Sequence, residues 1–193
     1  MRAIHEEELQ KELTTFWNSM AFCGLNNFYK PDDFNEKLSG AACALNEDTG
    51  CAYPGSLLVH INLTTALALR IYKMISGTFK NIDEESIVKV CCLMHLSKID
   101  MYEPNDNQWE ITNRGANYKF SKNLDGKLKF GERSILNAMN LGVKLTAEEF
   151  EAIKCLDNEK DGVNKYGDSI LSTIVRQANE LAYAIEKEKN GKK

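Results

Sequence analysis

The sequence predicts an all-α protein, a helical bundle of about seven helices with one small β-hairpin inserted between them. Apolar residues recur every three or four positions over most of the chain, which is the period of an amphipathic α-helix. Residues that cap helices precede several of these apolar runs. The loops between the runs are short and no internal repeat is present, so the 193 residues are predicted to form a single domain.

Four helices are predicted in the first half of the chain. The first, over residues 5–20, follows from the spacing of Leu9, Leu13, Phe16, Trp17 and Met20. The stretch 28–46 reads as a turn and a short helix. A long helix over 56–76 follows a turn at Pro54 and Gly55. The fourth helix, over 84–97, has Asp83 at its N-cap position.

The β-hairpin is predicted at about 105–130, where apolar and polar residues alternate. Turn signals lie at Asn113–Gly115 and at Asp125–Gly126. A short helix that ends at Gly142 should follow, because glycine is favoured just beyond a helix C-terminus.

Two further helices are predicted near the C-terminus. Thr146 and Glu149 have the spacing of a capping box and begin one of them. After a polar loop, Asp168 is the predicted N-cap of a last helix over 169–188. Its apolar stripe consists of Ile170, Ile174, Ala178, Leu181 and Ile185. The single domain 1–193 is thus divided into an N-terminal helix and turn (1–35), a core (36–188) and a flexible tail (189–193).

Composition excludes several classes of function. The net charge is −4 and the basic residues are scattered, so binding to duplex DNA is not expected. No apolar stretch reaches the roughly 18 residues that a membrane-spanning helix needs, and no apolar signal segment opens the chain. The six cysteines lack a regular spacing and read as reduced thiols. A cytoplasmic location is therefore expected.

Four sequence motifs occur in the order that is typical of one family. They are CAYPGSLLVH (51–60), CLMHLSKI (92–99), FGERS (130–134) and IVRQANELA (174–182). Together they resemble the HD-domain superfamily of metal-dependent phosphohydrolases, named for a His-Asp doublet, and in particular its phage and bacterial branch. The resemblance implies an HD-like helical core, in a protein of the phage or mobile-element type.

The departures from the family pattern concern the metal ligands. The resemblance places the two ligand imidazoles at His60 and His95. The aspartate of the doublet is replaced by Leu96, and a later aspartate by Asn179. Histidines that the pattern implies elsewhere are matched by Cys51, by Phe130 and by Cys155 or its neighbours.

These replacements remove the anionic oxygen ligands that a hard divalent cation prefers. Without a bound ion, no water molecule would be activated as the hydrolytic nucleophile. The interpretation is a catalytically degenerate relative, a pseudoenzyme, without catalytic residues or cofactor. His60, His95, Leu96 and Asn179 would form its vestigial site, with the apolar chain of Leu96 where the ion would sit.

Three alternatives for these side chains stay open. Each histidine could instead be an ordinary core residue, hydrogen-bonded within the fold. A zinc site could form from His60, His95 and Cys91, because soft ligands suit Zn²⁺ without any carboxylate. Finally, Lys98, His60 and His95 could bind a nucleotide or another phosphate-bearing ligand without cleaving it.

Three functions follow from these alternatives. The protein could be a pseudoenzyme retained to bind a ligand or a protein in the host cytoplasm. It could be a structural, virion or assembly protein that associates with itself or with a partner, with the old pocket filled. It could also be an active phosphohydrolase with altered ligands.

Overall fold

A computed structural model describes residues 4–25, 33–78, 82–124, 127–157 and 169–191. These residues form α1 (Glu6–Phe22), α2 (Phe34–Gly40), α3 (Ser56–Ile75), α4 (Glu84–Leu93), α5 (Lys98–Met101), α6 (Gln108–Arg114), α7 (Phe130–Asn140), α8 (Ala147–Lys154) and α9 (Ile170–Asn190), with strands β1 (Tyr102–Pro104) and β2 (Tyr118–Phe120). The predicted all-α class with a small β insertion is confirmed. All seven predicted helices are present, and the short α5 and α6 are additional.

The bundle is organised around α3, which packs against α9, α4 and α1. Helix α8 lies against both α7 and α9. The side chains of Leu57, Leu58 and Ile61 on α3 are fully buried in the resulting core. Burial of such large apolar side chains stabilises each by about 1.5–3 kcal/mol relative to exposure. Within the described ranges, no helix is both long and apolar enough to cross a membrane.

Helix α4 begins as predicted but ends earlier. Asp83 Oδ1 accepts a hydrogen bond of 2.6 Å from the Ser86 amide, so the predicted N-cap is confirmed. The helix ends at Leu93, and the predicted end at residue 97 is wrong. The Ser134 hydroxyl donates to Met94 O (2.8 Å) and accepts from Ser97 N (3.0 Å). This side chain on α7 satisfies main-chain groups that the helix no longer pairs, and it thereby fixes the turn that carries His95.

The β-hairpin differs from its predicted position. Its two strands pair in antiparallel register, with Tyr102 opposite Phe120, so the first strand starts before residue 105. The segment between the strands is not a tight turn, because Asn107 caps α6 there with hydrogen bonds to the amides of Trp109 and Glu110. The predicted turn at 113–115 is the end of this helix, with Gly115 at φ +62°. The predicted turn at 125–126 lies outside the described residues.

The predicted caps of the last two helices have different outcomes. The capping box of α8 is confirmed, because Thr146 Oγ1 accepts from Glu149 N at 3.2 Å and Glu149 Oε2 accepts from Thr146 N at 2.8 Å. The polar loop before α9 and its predicted cap, Asp168, lie outside the described residues. Ser169 is the N-cap of α9 and accepts from Ser172 N at 3.1 Å.

The apolar stripe predicted on α9 is only partly correct. Ile174 and Ala178 are buried, whereas Leu181 is 46% exposed. The inward face instead continues through Ala182 to Glu186, which is only 2% exposed. An acidic side chain therefore ends the buried face of this helix.

The loop before α3 lies directly against α9. At Gly50, where φ is +76°, a Cβ atom would lie 2.1 Å from the carbonyl oxygen of Glu186. Only glycine permits both this left-handed conformation and this close approach. In the same loop, the amides of Cys43 and Ala44 donate to Cys51 O, each at 3.2 Å. The loop is thus held to itself and to α9, which places Cys43 at the edge of the buried polar cluster described below.

Candidate functional site

Six polar side chains from separate parts of the sequence meet inside the bundle. His60 comes from α3, His95 from the turn after α4, and Lys98 from the start of α5. The spacing i, i+4, i+7 places Asn179, Tyr183 and Glu186 on one face of α9. We call this group, together with Cys43, the polar cluster. Asn179 and Tyr183 are half-buried, and the other members are almost completely buried.

Asn179 joins the two histidines. Its Oδ1 lies 2.8 Å from His60 Nε2 and 2.9 Å from His95 Nε2. The rings meet edge to face, with centroids 4.9 Å apart. Because an amide oxygen only accepts hydrogen bonds, both Nε2 atoms carry a proton in this arrangement. The protonated nitrogens therefore have no lone pair to offer a metal ion.

His60 is paired on its other side with a carboxylate. Its Nδ1 lies 2.6 Å from Glu186 Oε2. Burial by itself lowers the pKa of His60, but the neighbouring Cys43 and Glu186 outweigh that effect and raise it to about 9. Burial also raises the pKa of Glu186, and His60 partly offsets this increase. At neutral pH, His60 is thus an imidazolium, and its positive charge favours the ionised form of Glu186.

His95 is held in the neutral form. Burial, followed by the charges of Lys98 and His60, places its pKa well below the usual value. Its Nδ1 atom has no hydrogen-bond partner among the described residues. With Nε2 protonated, this Nδ1 carries a buried lone pair.

Lys98 points into the protein and not toward solvent. It is 7% exposed, and its Nζ donates to Cys43 O at 2.8 Å and to the Tyr183 hydroxyl. The Cys43 sulfur lies 3.5 Å from Nζ and 3.4 Å from the Tyr183 oxygen. The amino group therefore already has partners within the protein.

The Cys43 thiol lies in a positively charged setting. Burial would raise its pKa, but the hydrogen bond with Cys51 and the charges of His60 and Lys98 keep it well below the usual value. Burial and the nearby Cys43 raise the pKa of Tyr183, which stays a neutral phenol. A thiolate at Cys43 would balance the charge of Lys98, just as Glu186 balances that of His60.

Leu96 lines a separate cavity of about 140 Å³, whose walls include Phe34, Ile99, Asn137 and Leu141 but no member of the polar cluster. This position does not support the expectation that Leu96 fills the space between the imidazoles. The main chain explains this, because Leu96 O accepts from Asn137 Nδ2 at 3.2 Å and ties this residue to α7.

The zinc alternative is not supported by the positions of its ligands. Among the described residues, no three His, Cys, Asp or Glu side chains are arranged to hold a metal ion. Burial raises the pKa of Cys91 to about 12, and the side chains that also affect it are Thr65 and Cys23, not the histidines. A neutral, buried thiol is a poor zinc ligand.

The other positions that the resemblance singled out are also outside the cluster. The Phe130 ring packs with those of Tyr102 and Phe120. Cys155, the C-cap of α8, donates to Ala152 O at 2.8 Å. Cys51 is buried beside Cys43, where its sulfur lies 3.5 Å from Thr49 Oγ1. None of these side chains completes a metal site.

The sequence interpretation missed three members of the polar cluster. Glu186 lies seven residues after Asn179 and Tyr183 lies four residues after it, so the helical period was a usable signal for both. Cys43 had no such signal. Its contact with Tyr183 joins residues 140 positions apart.

Comparison of the chain with protein-family models, with curated proteins and with solved structures finds no match. The functional argument therefore depends on the cluster's own geometry.

Proposed function

We propose that this protein is a catalytically inactive, HD-domain-like binding domain of the phage or mobile-element type. One observation carries the proposal: the Nε2 atoms of His60 and His95 both donate to the neutral oxygen of Asn179. The two imidazoles stabilise the fold through Asn179 and Glu186. In an active HD-like enzyme, by contrast, they would hold a cation.

The charges of the cluster support the same conclusion. A divalent cation would need anionic ligands, and the only carboxylate of the cluster, Glu186, is paired with His60. Adding two positive charges beside the His60 imidazolium and Lys98 in a buried site would cost several kcal/mol. The cluster therefore favours a metal-free protein without phosphohydrolase activity.

Metal analysis of the purified protein tests this proposal. We expect no stoichiometric Mn, Fe or Zn and no turnover of phosphate esters. The Asn179→Asp variant supplies a carboxylate between the two imidazoles and should gain Mn²⁺ affinity in calorimetric titration. Asn179→Leu is the matched control, because it changes the same residue without adding a charge. Tightly bound metal in the unmodified protein, or its hydrolysis of a phosphate ester, would refute the proposal.

We assign the binding activity to the surface of the protein. This surface would contact a protein partner or a second copy of the chain. The internal pairing of Lys98 favours this assignment, because a filled polar cluster offers no free cation. Large apolar side chains lie exposed on α6 and α7, with Trp109 at 59%, Leu136 at 43% and Met139 at 61% exposure. Sedimentation analysis of the unmodified protein and of Met139→Lys tests for self-association. A protein that stays monomeric at all concentrations and purifies without any other protein would count against binding at this surface.

A second candidate is the binding of a nucleotide or another phosphate-bearing ligand at Lys98. It is favoured by the partial exposure of Asn179 and Tyr183, which brings solvent to the edge of the cluster. A phosphate would have to displace Cys43 and Tyr183 from the Lys98 amino group. A nucleotide that raises the melting temperature of the unmodified protein, but not that of Lys98→Met, would support this candidate. The exposed Lys154→Met substitution is the control.

A further inference from the structure

A pair of buried cysteines adjoins the polar cluster. Cys43 and Cys51 are both 0% exposed, and the Cys51 thiol is a hydrogen-bonding neighbour of the Cys43 sulfur that lowers the pKa of Cys43. The Cys43 amide also donates to Cys51 O at 3.2 Å. No disulfide joins any of the described cysteines. Seven residues separate the two cysteines in the sequence, so they close a short loop.

The main-chain contact satisfies the main geometric demand of a disulfide. Bridged cysteines have Cα atoms about 4.4–6.8 Å apart, and a larger separation requires backbone movement. An amide nitrogen is one bond away from the Cα atom of its residue, and a carbonyl oxygen is two bonds away from the Cα atom of its residue. A direct hydrogen bond between these groups therefore holds the Cα atoms within or close to this range, while the contact between the thiols brings the sulfurs together.

From these contacts we propose that Cys43 and Cys51 form an oxidative modification site, at which a peroxide converts the two thiols into a disulfide. The Cys43 sulfur attacks one peroxide oxygen, the O–O bond breaks, and water leaves after proton transfer, so that a sulfenic acid remains. The Cys51 sulfur then attacks the sulfenic sulfur and a second water leaves. Two thiols are oxidised and one peroxide is reduced to two water molecules.

The surroundings make Cys43 the first of the two to react. Its sulfur lies 3.5 Å from Lys98 Nζ, and a neighbouring cation favours the thiolate, which is the nucleophilic form. The hydroxyl of Tyr183, a side chain that is partly exposed, lies 3.4 Å from the same sulfur, so displacement of this one side chain would open a path for a small oxidant. The Cys51 sulfur lies 3.5 Å from Thr49 Oγ1, and the neighbouring Cys43 and burial raise the pKa of its thiol. It therefore serves as the resolving thiol.

Peptide mapping of the folded protein after treatment with hydrogen peroxide tests this proposal. We expect a peptide in which Cys43 and Cys51 are joined, with the loss of two hydrogen atoms, and its reversal by dithiothreitol. Cys91 and Cys92, also 0% exposed, are the internal control, because opening of the whole fold would modify them at the same rate. Equal modification of the two pairs, or no linked peptide, would overturn the proposal.

Two single variants give a second measurement. In Cys51→Ser the disulfide cannot form, so the sulfenic acid at Cys43 should be trapped by a dimedone-type reagent. In Cys43→Ser neither the disulfide nor the trapped adduct should appear. Circular dichroism establishes that each variant is folded before oxidation. A trapped adduct at Cys51 in Cys43→Ser, or none at Cys43 in folded Cys51→Ser, would show that the assigned order is wrong.

Discussion

Glu186 Oε2 lies 2.6 Å from His60 Nδ1, and both side chains are almost completely withdrawn from solvent. A carboxylate and an imidazolium at this depth stabilise each other only as a pair, since either charge alone would be buried without compensation. The pair joins α3 to α9, and these two helices form the centre of the bundle.

Replacing Glu186 with glutamine should destabilise the protein by about 3 kcal/mol, because breaking a buried ion pair leaves the other charge without a partner. The measurement is the free energy of unfolding in urea at pH 7. Glu188→Gln, on the exposed side of the same helix, is the control and should change the stability by less than about 0.5 kcal/mol. Equal losses of stability in the two variants would mean that the pair of His60 and Glu186 contributes nothing to the free energy of unfolding.

The contribution of His60 to stability should be lost as the pH rises through about 9. The pKa of His60 is raised to about 9 in the folded protein, against 6.5 as the ordinary value. The folded state therefore binds a proton that the unfolded state has lost, and this stabilisation disappears as the pH rises through about 9. The lowered pKa of Cys43 acts on stability with the opposite sign over the same range, so the measurement has to follow His60 itself. NMR titration of the folded protein should show the His60 imidazole still protonated at about pH 8. Cys43→Ser should lower this pKa, because Cys43 is the largest cause of its rise. A His60 signal that titrates near 6.5 in the unmodified protein would contradict the assignment.

On the acid side, His95 should limit stability. Its folded-state pKa lies well below 6.5, so the unfolded chain takes up a proton there that the folded protein cannot bind. Stability from this residue is therefore present above about pH 6.5 and decreases as the pH falls below that value. NMR titration of the folded protein should show His95 neutral at pH 6. A His95 signal that titrates near 6.5 would disprove the prediction.

Removing the shared acceptor should affect both histidines. In Asn179→Ala, two Nε2–H groups lose their partner, and each unsatisfied buried donor costs about 1–3 kcal/mol. We expect a total loss of about 2–4 kcal/mol in urea unfolding. Gln177→Ala, exposed on the same helix, controls for helix propensity. A loss no larger than that of the control would show that Asn179 is not the shared acceptor.

Substitution of Gly50 by alanine should destabilise the protein by more than the cost of a left-handed alanine alone. The added Cβ would lie 2.1 Å from the Glu186 carbonyl, and φ at Gly50 is +76°. Gly142→Ala is a matched control, because φ is +78° there and no atom lies within 4 Å of the added Cβ. The left-handed conformation alone costs roughly 1–2 kcal/mol. Gly50→Ala should exceed this value clearly in thermal unfolding, and equal losses would contradict the close approach.

The helices were largely predictable because their signals are local. The period of the apolar residues and the caps at Asp83 and Thr146 lie within each element, so the sequence alone located seven helices. The hairpin was misplaced because its strands, Tyr102–Pro104 and Tyr118–Phe120, are only three residues long and enclose a helix. Such short strands carry too few alternating positions to locate their ends.

The candidate site was predictable only in part. His60, His95 and Asn179 followed from the resemblance to a family, and the structure brings these three together. Glu186 was missed because it lies among alternating glutamates and lysines, a composition typical of a solvated helix end. Lys98 was identified, but its partners were not, because the contact with Tyr183 joins residues 85 positions apart.

The location of Asn179, Tyr183 and Glu186 on α9 sets an order of events during translation. Helices α3 and α4 leave the ribosome before the residues that pair with His60, His95 and Lys98 have been synthesised. Until α9 emerges, Lys98 has only the carbonyl oxygen of Cys43 as a partner, and the two histidines depend on water, so the nascent chain has to keep this part of its interior hydrated. Packing of α9 onto α3 and α4 is thus the event that removes water from the polar cluster and completes the fold.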